Sequence, residues 1–151
     1  MIRSDDYWMR RALEIAAAGG EMGEVPVGAL IVDADGRLVA ESRNSPIALK
    51  DPTAHAEILA IRAAGLAVSN YRLDGMTLYC TLEPCPMCAG ALVNARIRRL
   101  VFGARDLRFG GVRSKFQIAD SALLNHSVQV SEGILGVECT EILFEFFKSR
   151  R

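Results

Sequence analysis

Two short segments of this chain combine residue types that hold metal ions with one that moves protons: Pro52-Thr53-Ala54-His55-Ala56-Glu57 and Glu83-Pro84-Cys85-Pro86-Met87-Cys88. Cysteines three apart in the first turn of a helix share one face, where unpaired backbone N–H groups and the positive helix end favour thiolate over thiol. Two thiolates from Cys85 and Cys88 and a neutral imidazole from His55 supply three of the four tetrahedral ligands that zinc takes, one ion per subunit, and leave one position for water. That is the catalytic pattern, since a structural zinc site closes all four positions. Glu57 lies two residues beyond His55, which on a regular helix points the two side chains roughly 200° apart. With His55 at the helix edge, Glu57 misses the metal yet reaches its water.

His-x-Glu followed by Pro-Cys-x-x-Cys is the signature of the zinc-dependent nucleobase deaminases. The expected chemistry is hydrolytic: zinc lowers the pKa of its water from ~15.7 to around 7, and Glu57 takes a proton as hydroxide forms, then delivers it to the purine ring nitrogen and the leaving amine. Neither half of the signature suffices alone, because three-residue patterns recur by chance and Cys-x-x-Cys also serves redox chemistry. A closed structural zinc site would need a fourth ligand from Cys80, Cys139 or His126. A thioredoxin-like pair would leave His55 and Glu57 unexplained. Cys80, in a strand, and Cys139, in the last helix, read as buried structural thiols.

The elements around these segments must place each at a helix start. Ser4 or Asp5 caps a first helix with Trp8, Met9, Ala12, Leu13 and Ala16 at helical spacing, ended by Gly19 and Gly20. Val27 to Val32 reads as a strand that turns through Asp35-Gly36 into a second strand from Arg37 to Ser42. Pro46 and Pro52 bound a loop, and a helix over Ala54 to Ala64 carries His55 and Glu57 in its first turn and ends at Gly65. A strand from Met76 to Leu82 and a helix from Pro84 through Ala95 follow, the latter carrying both paired cysteines. Then come a strand at Arg99 to Phe102, a loop with a short helix around Phe116 to Leu124, a short strand at Val128 to Val130, and a last helix from Ile134 to Lys148 with Ile142, Leu143, Phe146 and Phe147 on or near one face. Strands alternating with helices after an opening hairpin predict an α/β fold, a mixed sheet covered on both faces in a three-layer α/β/α sandwich.

The chain has 151 residues, half of them apolar, and a formal net charge of zero, so one domain is expected over 1–151 and bulk polyanion binding is not. Charge is nonetheless uneven. Arg96, Arg98, Arg99, Arg105, Arg108, Arg113 and Lys115 face a single acid, Asp106, within that stretch, and could engage phosphates. Met1 to Asp6 does not resemble a signal peptide and no run approaches ~18 apolar residues, which predicts a soluble, cytoplasmic protein without a membrane partner.

Over nearly its whole length the chain resembles the bacterial tRNA-specific adenosine deaminases of the cytidine deaminase-like superfamily. The carrying segments are Glu24-Val25-Pro26-Val27-Gly28-Ala29, Asp51 to Glu57, Asn70-Tyr71-Arg72-Leu73, Thr81 to Ala91, and Val101 to Asp106. The resemblance implies a homodimer with a five-stranded sheet that converts the wobble adenosine in the anticodon stem-loop of a tRNA, an arginine tRNA, to inosine with release of ammonia. It further implies that Asn44, the backbone near Ala54, and Glu57 address the nucleoside. Asp106 is implied at the ribose or neighbouring backbone, and Phe146, Phe147 and Arg150 along the RNA path. Phe109-Gly110-Gly111-Val112-Arg113-Ser114 departs from the usual bacterial pattern, with Arg113 in place of glycine, and bears on the local RNA contacts. The competing activities are deamination of a free base or nucleoside, such as guanine or cytosine, and a non-catalytic RNA-binding subunit, against which Glu57 speaks.

Overall fold

In the computed structural model, which describes residues 2–150, α1 spans Asp5–Glu21 and starts at Ser4, whose hydroxyl accepts the Tyr7 N–H at 3.1 Å. It runs past Gly19 and Gly20, both tolerated within its last turn. β1 (Gly28–Val32) and β2 (Leu38–Arg43) form the expected hairpin. Asp33 Oδ1 accepts the N–H groups of Asp35 and Arg37, and Gly36 takes a φ of 83°. Gly28 has its own requirement: a Cβ there would lie 2.1 Å from the Ala12 carbonyl oxygen, so only glycine lets α1 approach β1 this closely.

The segment expected as a plain loop between Pro46 and Pro52 contains one helical turn, α2 (Pro46–Leu49), ended by Lys50 in the left-handed region. Its first N–H groups, from Ile47 and Ala48, donate to the buried carboxylate of Glu24, a long-range cap that local spacing does not reveal. Next, α3 (Ala56–Val68) continues three residues beyond Gly65, to Ser69 in the left-handed region, where Asn70 N–H returns to the Gly65 carbonyl. β3 (Thr77–Leu82), α4 (Pro86–Asn94) and β4 (Arg99–Ala104) form a succession of strand, crossover helix and parallel partner. β5 (Gln129–Glu132) and α5 (Gly136–Lys148) complete the chain.

The expected helix around Phe116 to Leu124 does not form. Lys115 and Phe116 N–H both return to Gly110, the Ser121 hydroxyl takes the Leu123 N–H, and isolated turns result. Leu123, one of that helix's would-be apolar contacts, is 95% exposed.

The five strands form one mixed sheet in the order β2-β1-β3-β4-β5, antiparallel across β2-β1-β3 and parallel across β3-β4-β5. Side chains alternate between two cores as the pleat requires. Ala29, Ile31, Leu78, Cys80, Leu100 and Phe102 pack with Ala56, Ala60, Ala64, Ala89 and Leu92 of α3 and α4. Leu30, Val32, Tyr79 and Val101 pack on the opposite face with Trp8, Met9 and Ala12 of α1 and Cys139 of α5. The result is the expected three-layer sandwich. No helix among the described residues is long and apolar enough to cross a membrane.

Candidate active site

The two motif segments meet where α3 and α4 begin. His55 is the N-cap of α3 and Cys85 the N-cap of α4, each with extended backbone, so both sit one residue outside the helix rather than inside its first turn. This removes the difficulty of the two-residue spacing. Because His55 is extended, with ψ 151°, its ring leaves the helical face on which Glu57 lies two positions further on. Cys88 is the third residue of α4, and Pro86 at its first position needs no N–H partner.

His55 Nδ1 is 3.5 Å from both Cys85 Sγ and Cys88 Sγ. The three ligand atoms all lie within 4.8 Å of one another, and no fourth His, Cys, Asp or Glu joins the group among the described residues. The alternative fourth ligands are elsewhere. His126 Nε2 is 2.7 Å from the Ile97 carbonyl, and Cys80 and Cys139 are free, fully buried thiols. Two sulfurs and one ring nitrogen at this separation are a donor set that zinc accepts, with one corner left for solvent.

The electrostatics suit a cation. The Cys88 thiol donates to Cys85 and, together with the charge of His55 and despite burial, holds the Cys85 thiol down at about 4. Cys88, which keeps the shared proton in a buried place, is pushed up. The hydrogen bond with Cys85 raises His55 against its partial burial. Glu57 is 4% exposed, and burial pushes its carboxyl up against the opposing pull of a backbone N–H and the His55 charge.

Above these groups is a cavity of about 180 Å³ lined by Val25, Val27, Asn44, His55, Glu57, Leu82, Glu83, Cys85, Asp106 and Phe109. It shares Val25, Leu82, Asp106 and Phe109 with a wider cleft of about 550 Å³ that adds Arg105, Leu107, Arg108, Leu143 and Phe147. A narrow slot, walled by Val25, Val27, Leu82 and Phe109 and carrying the polar groups of the site, thus opens into a basic, aromatic-edged vestibule.

Most of the residues expected at the site gather here. Asn44 lines the inner cavity, its Nδ2 donating to the Val25 carbonyl and its backbone N–H to Val27. Ala54 is fully buried, its carbonyl accepting the Ser45 N–H. Asp106 borders both spaces and accepts the N–H groups of Arg108 and Phe109. Phe147 edges the outer cleft, whereas Phe146 and Arg150 line neither space. Arg150 instead stacks on Phe146, 3.7 Å from the ring centroid.

Three of the seven basic residues in the 96–115 stretch are neutralised by pairing. Arg99 binds Asp5 at 2.7 Å, Arg105 binds Glu132 at 2.7 Å, and Arg113 binds Asp120 at 2.9 Å. Arg96, Arg98, Arg108 and Lys115 make no ion pair among the described residues, Arg96 donating instead to the Asn125 side-chain oxygen, and of these Arg108 lines the cleft. Arg113, the departure from the bacterial pattern, is thereby a bracing residue within its own loop.

One residue that borders the slot has no signature in the chain. Glu83, 2% exposed, accepts hydrogen bonds from five donors of the 106–114 loop. Its partners lie 23 to 31 residues away, and nothing local to Glu83 announces them. The only trace in the chain is the glycine pair Gly110-Gly111 within a basic stretch.

Residues 2–104 match the family described as the cytidine and deoxycytidylate deaminase zinc-binding region. The chain is 48% identical over 147 residues to a tRNA-specific adenosine deaminase of Haemophilus influenzae, covering 97% of this chain and 85% of that one. It is 47% identical to the tRNA-specific adenosine deaminase of Aquifex aeolicus, with 97% and 95% covered. Among solved structures it is similar to a protein from work on A-to-I editing by tRNA:A34 deaminases at the wobble position of transfer RNA, with TM-score 0.87, 46% identity, and 91% of this chain and 99% of that one covered.

Proposed function

Since this chain belongs to the tRNA-specific adenosine deaminases of the cytidine and deoxycytidylate deaminase family, we propose that it hydrolyses the wobble adenosine of a tRNA anticodon, in an arginine tRNA, to inosine and ammonia. The observation that carries the reading is the meeting of His55, Cys85 and Cys88 beside a buried Glu57 at the floor of a base-sized slot. His55, Cys85 and Cys88 hold the zinc ion. When bound, zinc supplies Lewis acidity that makes water a nucleophile at neutral pH.

The chain's own groups do the rest. Glu57 takes a proton from the water that attacks C6 of the adenine and delivers it to N1, then takes the proton of the new C6 hydroxyl and passes it to the amine, which leaves as ammonia when the C6–N bond breaks and the C6 carbonyl forms, so that one carboxylate acts as base and acid in turn. Asn44 and the backbone beside Ala54 orient the nucleoside. Val25, Val27, Leu82 and Phe109 wall the slot with apolar surface that excludes bulk water and sandwiches a base taken out of its stack. Asp106 borders the passage between slot and vestibule, where the ribose of that nucleotide sits. Arg108 and Phe147 serve the flanking nucleotides in the vestibule by charge and stacking, and Phe146 and Arg150 extend the RNA path along α5. The enzyme acts in the cytoplasm as a homodimer built from one such domain per subunit.

Incubation with an anticodon stem-loop and, separately, with free guanine, cytosine and adenosine tests the reading. Inosine at the wobble position of the stem-loop is the expected product. Turnover confined to a free base would replace this substrate with a nucleobase. Sequencing inosine in a treated tRNA pool identifies the tRNA.

A further inference from the structure

Glu83 directly follows β3 and leads through Pro84 into the cysteine that opens α4, yet neither metal nor substrate needs its charge. Both oxygens of the carboxylate are taken up by the loop that follows β4. Its Oε1 accepts the Asp106 N–H at 3.0 Å and the Ser114 hydroxyl. Its Oε2 accepts the N–H groups of Val112 at 3.1 Å, Arg113 at 2.7 Å and Ser114 at 2.9 Å. Four backbone amides and a hydroxyl thus enclose one buried anion, an arrangement that a neutral side chain cannot satisfy. The loop is shaped to the carboxylate in turn. A Cβ on Gly110 would lie 2.3 Å from Glu83 Oε2, and one on Gly111 would lie 2.6 Å from the Pro86 nitrogen.

The segment held this way supplies Asp106 and Phe109 to the inner slot and Arg105, Leu107 and Arg108 to the vestibule. We propose that Glu83 is a positioning residue for RNA recognition: its carboxylate fixes the 106–114 loop as one wall of the nucleotide path, and ties that wall to the same peptide that delivers Cys85. The inference rests on the reading of the chain as a tRNA adenosine deaminase and adds the group that determines how the nucleotides around the target base are received. Loss of the anchor frees the wall without displacing His55, Cys85, Cys88 or Glu57. The defect therefore falls on substrate binding rather than on the chemical step.

Three readouts on zinc-loaded protein test this. In Glu83→Gln, which sets an amide NH2 against donors, the amides of Val112, Arg113 and Ser114 exchange with solvent at least about tenfold faster, while zinc content stays at one per chain. KM for the anticodon stem-loop rises about tenfold or more, and kcat changes by less than about threefold. Ser114→Ala removes one of the five donors, leaves the carboxylate in place, and keeps the test decisive if Glu83→Gln does not fold; it raises KM about threefold at constant kcat. Because both act through one contact, the double variant costs little more than Glu83→Gln alone. Unchanged amide exchange, an unchanged KM in Ser114→Ala, or a fall in kcat at constant KM overturns the assignment. If the wild-type protein formed no inosine in RNA, the proposed activity would fail, while the exchange measurement would still decide whether Glu83 anchors the loop.

Discussion

Glu57→Gln probes the proposed chemistry directly, because it keeps the shape of the side chain and removes its capacity to carry a proton. The structure sets the size of the effect. A positioned general acid–base is worth about 10²–10⁴-fold, or about 2.7–5.4 kcal/mol of barrier. The upper end of that range is expected, because no neighbouring carboxylate can take over. Glu83, also in the slot, has both oxygens occupied by five donors of the 106–114 loop, and Asp106 Oδ1 is held by the N–H groups of Arg108 and Phe109. Glu57 stands outside the trio of ligand atoms, so zinc content is preserved. RNA affinity is preserved as well, since the vestibule is untouched. Single-turnover conversion of an anticodon stem-loop under saturating protein reads the chemical step apart from binding, with metal analysis and an RNA titration on the same samples. A rate within tenfold of wild type would refute the assignment of Glu57 as proton carrier. Loss of zinc together with rate would show that the carboxylate supports the metal instead.

Three further outcomes follow from the same geometry. Cys88→Ala loses the metal and lowers the melting temperature, because the starts of α3 and α4 share that ion; a full zinc complement in the purified variant would contradict the ligand set. Arg113 holds the Asp120 carboxyl below its ordinary value of 3.8, so this pair contributes stability that is fully present above about pH 3.8 and is lost as pH falls through the lowered folded value. Urea unfolding of Asp120→Asn should accordingly be less acid-sensitive than that of wild type in this range, and parallel pH curves would discard the pair as a contributor. Arg108→Ala weakens stem-loop binding and reduces the slope of log affinity against log salt by about 0.7, one phosphate contact on single-stranded RNA, whereas an unchanged slope would remove Arg108 from the RNA path.

Periodicity and punctuation were enough to place nine of the ten helices and strands, all but α2, close to where they occur, and the reasons are visible in particular residues. The alternation of Leu30 and Val32 with Ala29 and Ile31 separates two cores because a strand's side chains have a period of two. Asp33, Asp35 and Gly36 set their hairpin through contacts spanning four residues or fewer. The element gained and the element lost were decided by contacts beyond their own segments. Helix α2 within the expected loop is capped by Glu24 from 23 residues earlier, and the helix expected around Phe116 gives way to turns whose preceding loop folds around Glu83. Basic residues that looked free in the chain, Arg99, Arg105 and Arg113, meet acids 94, 27 and 7 residues away.

What the chain by itself determined was the donor chemistry: two thiols three residues apart, an imidazole with a carboxylate two residues on, and helix-start signals beside each. These are properties of residue type and near-neighbour spacing, which survive without a fold. Only the tertiary structure decided that His55 comes within 3.5 Å of two sulfurs some thirty residues distant, that His55 and Cys85 stand at the N-cap positions just outside their helices, and that one wall of the slot hangs from Glu83. Such meetings depend on the order and register of β3 and β4 and on the packing of α3 against α4. Many residues fix these jointly, and no short segment encodes them.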